Sequence, residues 1–179
     1  LGSGRAMTLT TGSLLNQNGL LFSGGDMSLR VERLKNLGAD IYAMGNLSID
    51  RDGKGAFATS IINSSSSIQS DGNLSLAAGT FQNQGGSVLH VGTGVFDIAG
   101  INLDNVGGSL VTQGDLSLDK NHWTNSSLIQ AGNLTVNVDN LEQTSSGQLL
   151  AANRIKGTGQ NWSTQGVIAS NGSLELNLG

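Results

Sequence analysis

The sequence predicts an all-β fold: a parallel β-helix of about eight coils, each of about 20 residues with three short strands per coil. Three observations predict it. An apolar residue followed two positions later by Asn recurs along the chain. A second figure, Gly-[Asp/Asn]-Leu-[Ser/Thr]-Leu, returns in the same register. And 179 residues contain 27 Gly but no Pro and no Cys, which suits a ladder in which every N–H must donate.

The first strand of each coil is read from the glycine motif. It appears as GDMSL from Gly25, GNLSI from Gly45, GNLSL from Gly72, GDLSL from Gly114 and GNLTV from Gly132. GVFDI from Gly94 and GSLEL from Gly172 are worn copies. The alternation of apolar and small polar residues is that of a half-buried strand. SLRVERLKNL has helical propensity, but Met27, Leu29 and Val31 alternate and the segment keeps its place in the repeat.

The second strand carries the pairs Leu14/Asn16, Leu34/Asn36, Ile61/Asn63, Phe81/Asn83, Leu103/Asn105 and Trp123/Asn125, continued by Leu141/Gln143 and Trp162/Thr164. Steps between the polar members are 20, 27, 20, 22, 20, 18 and 21 residues. Both members are expected to face inward. The structural Asn column, Asn16, Asn36, Asn63, Asn83, Asn105 and Asn125, is then a ladder of amides, because an unpaired buried amide costs about 1–3 kcal/mol. On this reading Asn105→Leu breaks the ladder, whereas Asn18→Leu, outside the column, changes little. The glycines after Asn83 allow the tight bend into the next strand.

The third strand holds Ile41, Ile68, Val88, Leu110, Leu149 and Ile168, with a small residue two positions on in each case except His90. Its outward column is mostly apolar and includes Phe22, Tyr42, Leu89 and Val111. An exposed apolar stripe marks a candidate partner contact. The 27-residue step places an insertion near residues 50–60, with Arg51, Lys54 and Phe57 as further candidate contacts, since solenoid insertions map to loops on one face. The whole of 1–179 reads as one β-helical domain with that loop. It begins mid-pattern, as a fragment of a larger protein would.

Composition narrows the function. A net charge of −4 gives no basic footprint for nucleic acid. No apolar run is long enough to span a membrane as a helix. Two histidines, His90 and His122, are too few for a His-based metal site, and no Ser/His/Asp grouping falls on one face, so no catalytic residue, metal or cofactor is expected. DRDGKG, residues 50–55, starts like a calcium loop but lacks the later acidic ligand.

The units GNLSLAAGTFQNQGGSVLHVG and GDLSLDKNHWTNSSLIQAGNLTV resemble the haemagglutinin repeats of filamentous haemagglutinins and contact-dependent growth inhibition exoproteins of Gram-negative bacteria. The resemblance implies a right-handed β-helix within a very long exoprotein, exported by two-partner secretion through an outer-membrane transporter and displayed at the cell surface or secreted. It implies a stalk in some segments and receptor binding in others. AANRIKGTG, in the eighth unit, departs from the glycine motif. Three functions are open. One is a non-enzymatic stalk segment of an adhesin or toxin-delivery filament. The second is a module binding a cell-surface protein or glycan through the third-strand stripe and the 50–60 loop. The third, a β-helical polysaccharide lyase or hydrolase, needs clustered acids and bases on one groove, where the outward columns offer Ser, Thr and Gln.

Overall fold

The computed structural model describes residues 1–98 and 101–179, with every side chain there except that of Asn105. All strand pairs in it are parallel, and they stack nine coils into a β-solenoid. That is one coil more than the polar column counts, because the glycine-motif strand occurs once beyond the last apolar-x-polar pair. Each coil runs through a first face (the glycine motif), a second face (the apolar-x-Asn pair) and a third face.

The third face is continuous. Its strands run Gly2–Ser3, Leu20–Ser23, Asp40–Ala43, Ser67–Ser70, Ser87–His90 and Ser109–Thr112, then through Leu128–Gln143, Gln148–Gly159 and Val167–Ser170 in one hydrogen-bonded path. Leu21, Ile41, Ile68, Val88, Leu110, Ile129 and Leu149 point inward from it and are buried. On the first and second faces, bent strands such as Met7–Gln17, Met27–Leu37 and Asp115–Asn125 cover both faces without a break. Phe81 is the largest side chain wholly shut off from solvent, and the larger Trp123, 3% exposed, lies in the same core. Sealing comes from the next coil. Leu174, Leu176 and Leu178 on the last coil, paired on one side, remain 48%, 39% and 43% exposed.

The insertion is local. Arg30 pairs with Asp50, an offset of 20, while Arg33 pairs with Ser60, an offset of 27. Seven residues therefore leave the coil between Asp50 and Ser60, and the register recovers at once.

Coil five departs from the expected pattern. Its first-face strand is only Phe96–Asp97, and Leu103–Asn105 forms a short 3-10 helix where a second-face strand was expected. Among the described residues no strand pairing joins Phe96–Asp97 to Asp115–Asn125, so on two faces the solenoid is two stacks joined by the third. The physical reason lies in local competition: the Asn102 side chain accepts from the Asp104 N–H at 3.1 Å and caps a helical turn, which the alternating pattern does not report. The Asn105 side chain lies outside the described residues.

The turns after the Asn column also correct one expectation. Asn18 (φ +50°) and Ser65 (φ +49°) occupy the left-handed region, as do Gly38, Gly85 and Gly108. A Leu at Asn18 would be strained there by about 1–2 kcal/mol, so Asn18→Leu is not the silent change the column pattern suggests.

Candidate functional site

Inside the first four coils the Asn amides form a chain. Asn16 Nδ2 donates to Asn36 Oδ1 at 2.8 Å, Asn36 Nδ2 to Asn63 Oδ1 at 2.8 Å, and Asn63 Nδ2 to Asn83 Oδ1 at 2.7 Å. Each amide also reaches third-face carbonyls: Asn36 bonds Ala39 and Ser67, and Asn63 bonds Ser66 and Ser87. Asn83 ends the run on the Ser109 carbonyl at 3.1 Å. Beyond coil five it resumes as Asn125 Nδ2 to Gln143 Oε1 at 3.1 Å and Gln143 Nε2 to Thr164 Oγ1 at 3.3 Å.

A second ladder went unread in the sequence. Asp26 Oδ1 accepts the Asn46 N–H at 2.8 Å, Asn46 Oδ1 the Asn73 N–H at 2.8 Å, and Asn73 Oδ1 the Val95 N–H at 3.0 Å. This explains the glycine of the motif: a Cβ on Gly45 would sit 2.4 Å from Asp26 Oδ1, and one on Gly72 2.7 Å from Asn46 Oδ1. The motif's own spelling, Gly followed by Asp or Asn, was the available signal. The worn eighth unit has a similar cause. Cβ atoms on Gly157 and Gly159 would each come within 2.5 Å of the Trp162 ring, whose Nε1 donates to Val138 O at 2.6 Å.

The 50–60 loop is built by two aspartates. Buried Asp50 accepts the N–H groups of Asp52 at 3.1 Å, Gly53 and Gly55 at 3.0 Å. Asp52 Oδ1 accepts those of Lys54 at 2.8 Å and Ala56 at 3.2 Å, and these bonds hold the Asp52 carboxyl below its ordinary pKa. Calcium-loop chemistry would need those oxygens, and the backbone already uses them. Arg51 and Lys54 are exposed, and Phe57 is 50% exposed.

The third-face candidates sit elsewhere. Phe22 and Tyr42 pack ring against ring at 5.7 Å, and the Tyr42 hydroxyl donates to Asp71 Oδ2 at 2.6 Å. That bond, with burial and the Asp71 charge, raises the Tyr42 pKa above its ordinary value. Gln69 joins through its Nε2 at 3.2 Å from Asp71 Oδ1. Leu89 and Val111 continue the column, half-buried between their lateral neighbours. The loop leaves the corner between the first and second faces. The structure therefore groups Phe22 with Tyr42, and Arg51 with Lys54 and Phe57, and puts the two groups on different sides of the coil.

At coil five the interrupted faces leave a cleft of about 530 Å³ lined by Phe96, Ile98, Ile101, Leu103, Leu116 and Lys120. Lys120 Nζ lies 4.0 Å from Asp104 across it. Just inside, His90 replaces the small residue of the third-face column. It is fully buried, stacks on Phe96 at 5.8 Å, and contacts Thr112 Oγ1 through Nδ1 at 2.7 Å. Its Nε2 has no hydrogen-bond partner among the described residues. Desolvation lowers its pKa, the Gly72 carbonyl, outside full hydrogen-bond geometry, working weakly the other way. No group of three or more His, Cys, Asp or Glu side chains that could hold a metal occurs among the described residues.

Nine parallel coils with two inter-coil polar ladders invite comparison with known repeat proteins. The haemagglutinin repeat matches residues 1–54, 42–130 and 129–178. The chain belongs to the haemagglutinin-repeat family. Within 85 residues, 47% of its length, the haemagglutinin-repeat chain is 32% identical to deoxyribonuclease CdiA of Dickeya dadantii (strain 3937). The match spans 3% of that relative. No solved structure matches the chain.

Proposed function

We propose that this haemagglutinin-repeat chain is a non-enzymatic stalk segment of a large exoprotein, an adhesin or a contact-dependent toxin-delivery filament. In this reading it is secreted to the Gram-negative cell surface through an outer-membrane transporter. The observation that carries the reading is the uninterrupted third face: nine coils pair strand to strand even where the other two faces are broken. A rod whose continuity survives local irregularity is suited to holding distance, at about 4.8 Å per coil. Export fits too, since a chain without Cys or Pro crosses a membrane unfolded with no disulfide to reduce and no slow prolyl isomer.

The test replaces residues 1–179, inside the exoprotein that contains them, with an equal number of coils from another part of the same filament. Retained adhesion or delivery at equal surface display supports a stalk. Loss of either, with display and filament length unchanged, would turn the reading to a binding module. The second reading has one observation behind it, the Phe22–Tyr42–Asp71–Gln69 cluster on the third face, which pairs two aromatic rings with a carboxylate and an amide as protein or glycan receptors require.

A further inference from the structure

Coils five and six part on one side only. Their third face is held at both of its corners. Where it meets the first face, a Cβ on Gly114 would lie 3.0 Å from the carbonyl oxygens of Thr93 and Gly94. Where it meets the second, Leu128 N–H donates to Gly108 O at 2.9 Å and Ser127 Oγ to Val106 O at 3.1 Å. Between these corners Ser109, Leu110 and Val111 pair with Leu128, Ile129 and Gln130. The remaining corner, between the first and second faces, is where the coils separate. Phe96, Ile98 and Leu103 line the 530 Å³ cleft there from coil five, Leu116 and Leu118 from coil six. Among the described residues one ion pair bridges it, Lys120 with Asp104 at 4.0 Å.

A stacked solenoid resists bending because bending must stretch the inter-coil hydrogen bonds on the outer side of the curve. At this junction two of the three faces make no strand pairing among the described residues, so one face carries the resistance. Rotation about that face changes its own bonds least, which makes it the hinge line. The bridge on the opposite side is weak: an ion pair with Asp104 half exposed gains little and is screened by salt. The apolar lining sets the range, since wide opening would put Leu116 and Leu118 in water. Asn102 helps create the gap, because its side chain caps the helical turn that takes coil five out of the second-face sheet.

We propose that coil five is a hinge: the two stacks rock about the third face, opening and closing the corner between the first and second faces. The inference rests on the solenoid alone and is the same for a stalk and for a binding module. It gives an otherwise stiff rod one joint whose direction is fixed by which face stays paired.

The chain has no cysteine, so spin labels can be placed in pairs on the whole 179-residue protein. One pair, Ser28→Cys with Lys156→Cys, lies on the first face, and the other, Asp40→Cys with Val167→Cys, on the third. Both pairs span the junction and are six coils apart, about 29 Å. Double electron–electron resonance should give the first-face pair a distance distribution about twofold broader than that of the third-face pair. A repaired chain carries the residues of 72–86 in place of 94–108, a stretch of equal length. Its first-face distribution should narrow to the third-face width while circular dichroism stays native. Asn102→Val, which removes the cap alone, is the milder variant and should narrow it in the same direction. The proposal falls if both pairs are equally narrow, if both are equally broad, or if neither variant, folded, narrows the first-face distribution.

Discussion

The four coils before the junction and the four after it solve one problem in two ways. Before it, identical amides stack: Asn16, Asn36, Asn63 and Asn83 donate in sequence at 2.7–2.8 Å, and left-handed turn residues follow at Asn18, Gly38, Ser65 and Gly85. After it, Asn125, Gln143 and Thr164 form a looser series at 3.1 and 3.3 Å, without left-handed turns. Third-face strands pair in parallel through both stacks, with a one-residue register shift between Ala131 and Asn133 in the second. The difference teaches that backbone pairing and apolar sealing set the solenoid, and that the amide ladder sharpens one stack more than the other.

Core deletions give the largest test of that comparison. Phe81→Ala removes the largest buried side chain of the first stack and should cost about 3–5 kcal/mol in denaturant titration. Trp162→Ala, at the matching place in the second stack but only half-buried, should cost about half as much. Equal losses would show that the last coils are as tightly sealed as the first.

Next comes the ladder itself. Asn63→Leu strands the Asn83 oxygen and the Ser87 carbonyl, and should cost about 2–4 kcal/mol. Gln143→Leu should cost about 1–2 kcal/mol, because it strands the buried Asn125 Nδ2 while water can replace the bonds to the exposed Thr164 and Val167. The reverse order in thermal melts would contradict the asymmetry.

Turn strain is smaller. Asn18→Leu should lower stability by about 1 kcal/mol and Asn18→Gly by little. Ser145→Leu, at the matching turn of the second stack without a positive φ, should be near neutral. The slightest effect is the pH response of the junction. His90 has a depressed folded pKa, so the unfolded chain takes the proton first. Its contribution is complete above the unfolded value of about 6.5 and is lost progressively as pH falls from there toward the folded one. Protection factors from hydrogen exchange should fall at Ser87–His90 and Ser109–Thr112 between pH 7 and pH 5, more than in either stack. A uniform fall, or none, would remove His90 from the account.

Much of this was legible from side-chain pattern. Alternation marked the three faces, the 27-residue step located the loop, and the recurring apolar-x-Asn pair pointed to the amides that bond from Asn16 to Asn83. Its Leu103/Asn105 member shows the boundary. The letters fit a strand, yet the Asn102 side chain and the Asp104 amide favour a helical turn there. Local hydrogen bonding won over periodicity because one coil's pairing was too weak to enforce it. The Asx ladder was missed for a related reason: an amide beside Gly reads as a turn former until the neighbouring coil supplies the N–H it accepts.

By itself, then, the sequence determined the solenoid, its period and its polar core, since a repeat of twenty residues with inward apolar pairs can bury them only by stacking on its own copies. Tertiary structure alone decided which outward groups meet. It set Arg30 under Gly53, separated the loop from the Phe22–Tyr42 face, and seated Trp162 over two glycines. Those contacts join residues from different coils, and their distances depend on register and loop path, which no run of letters contains.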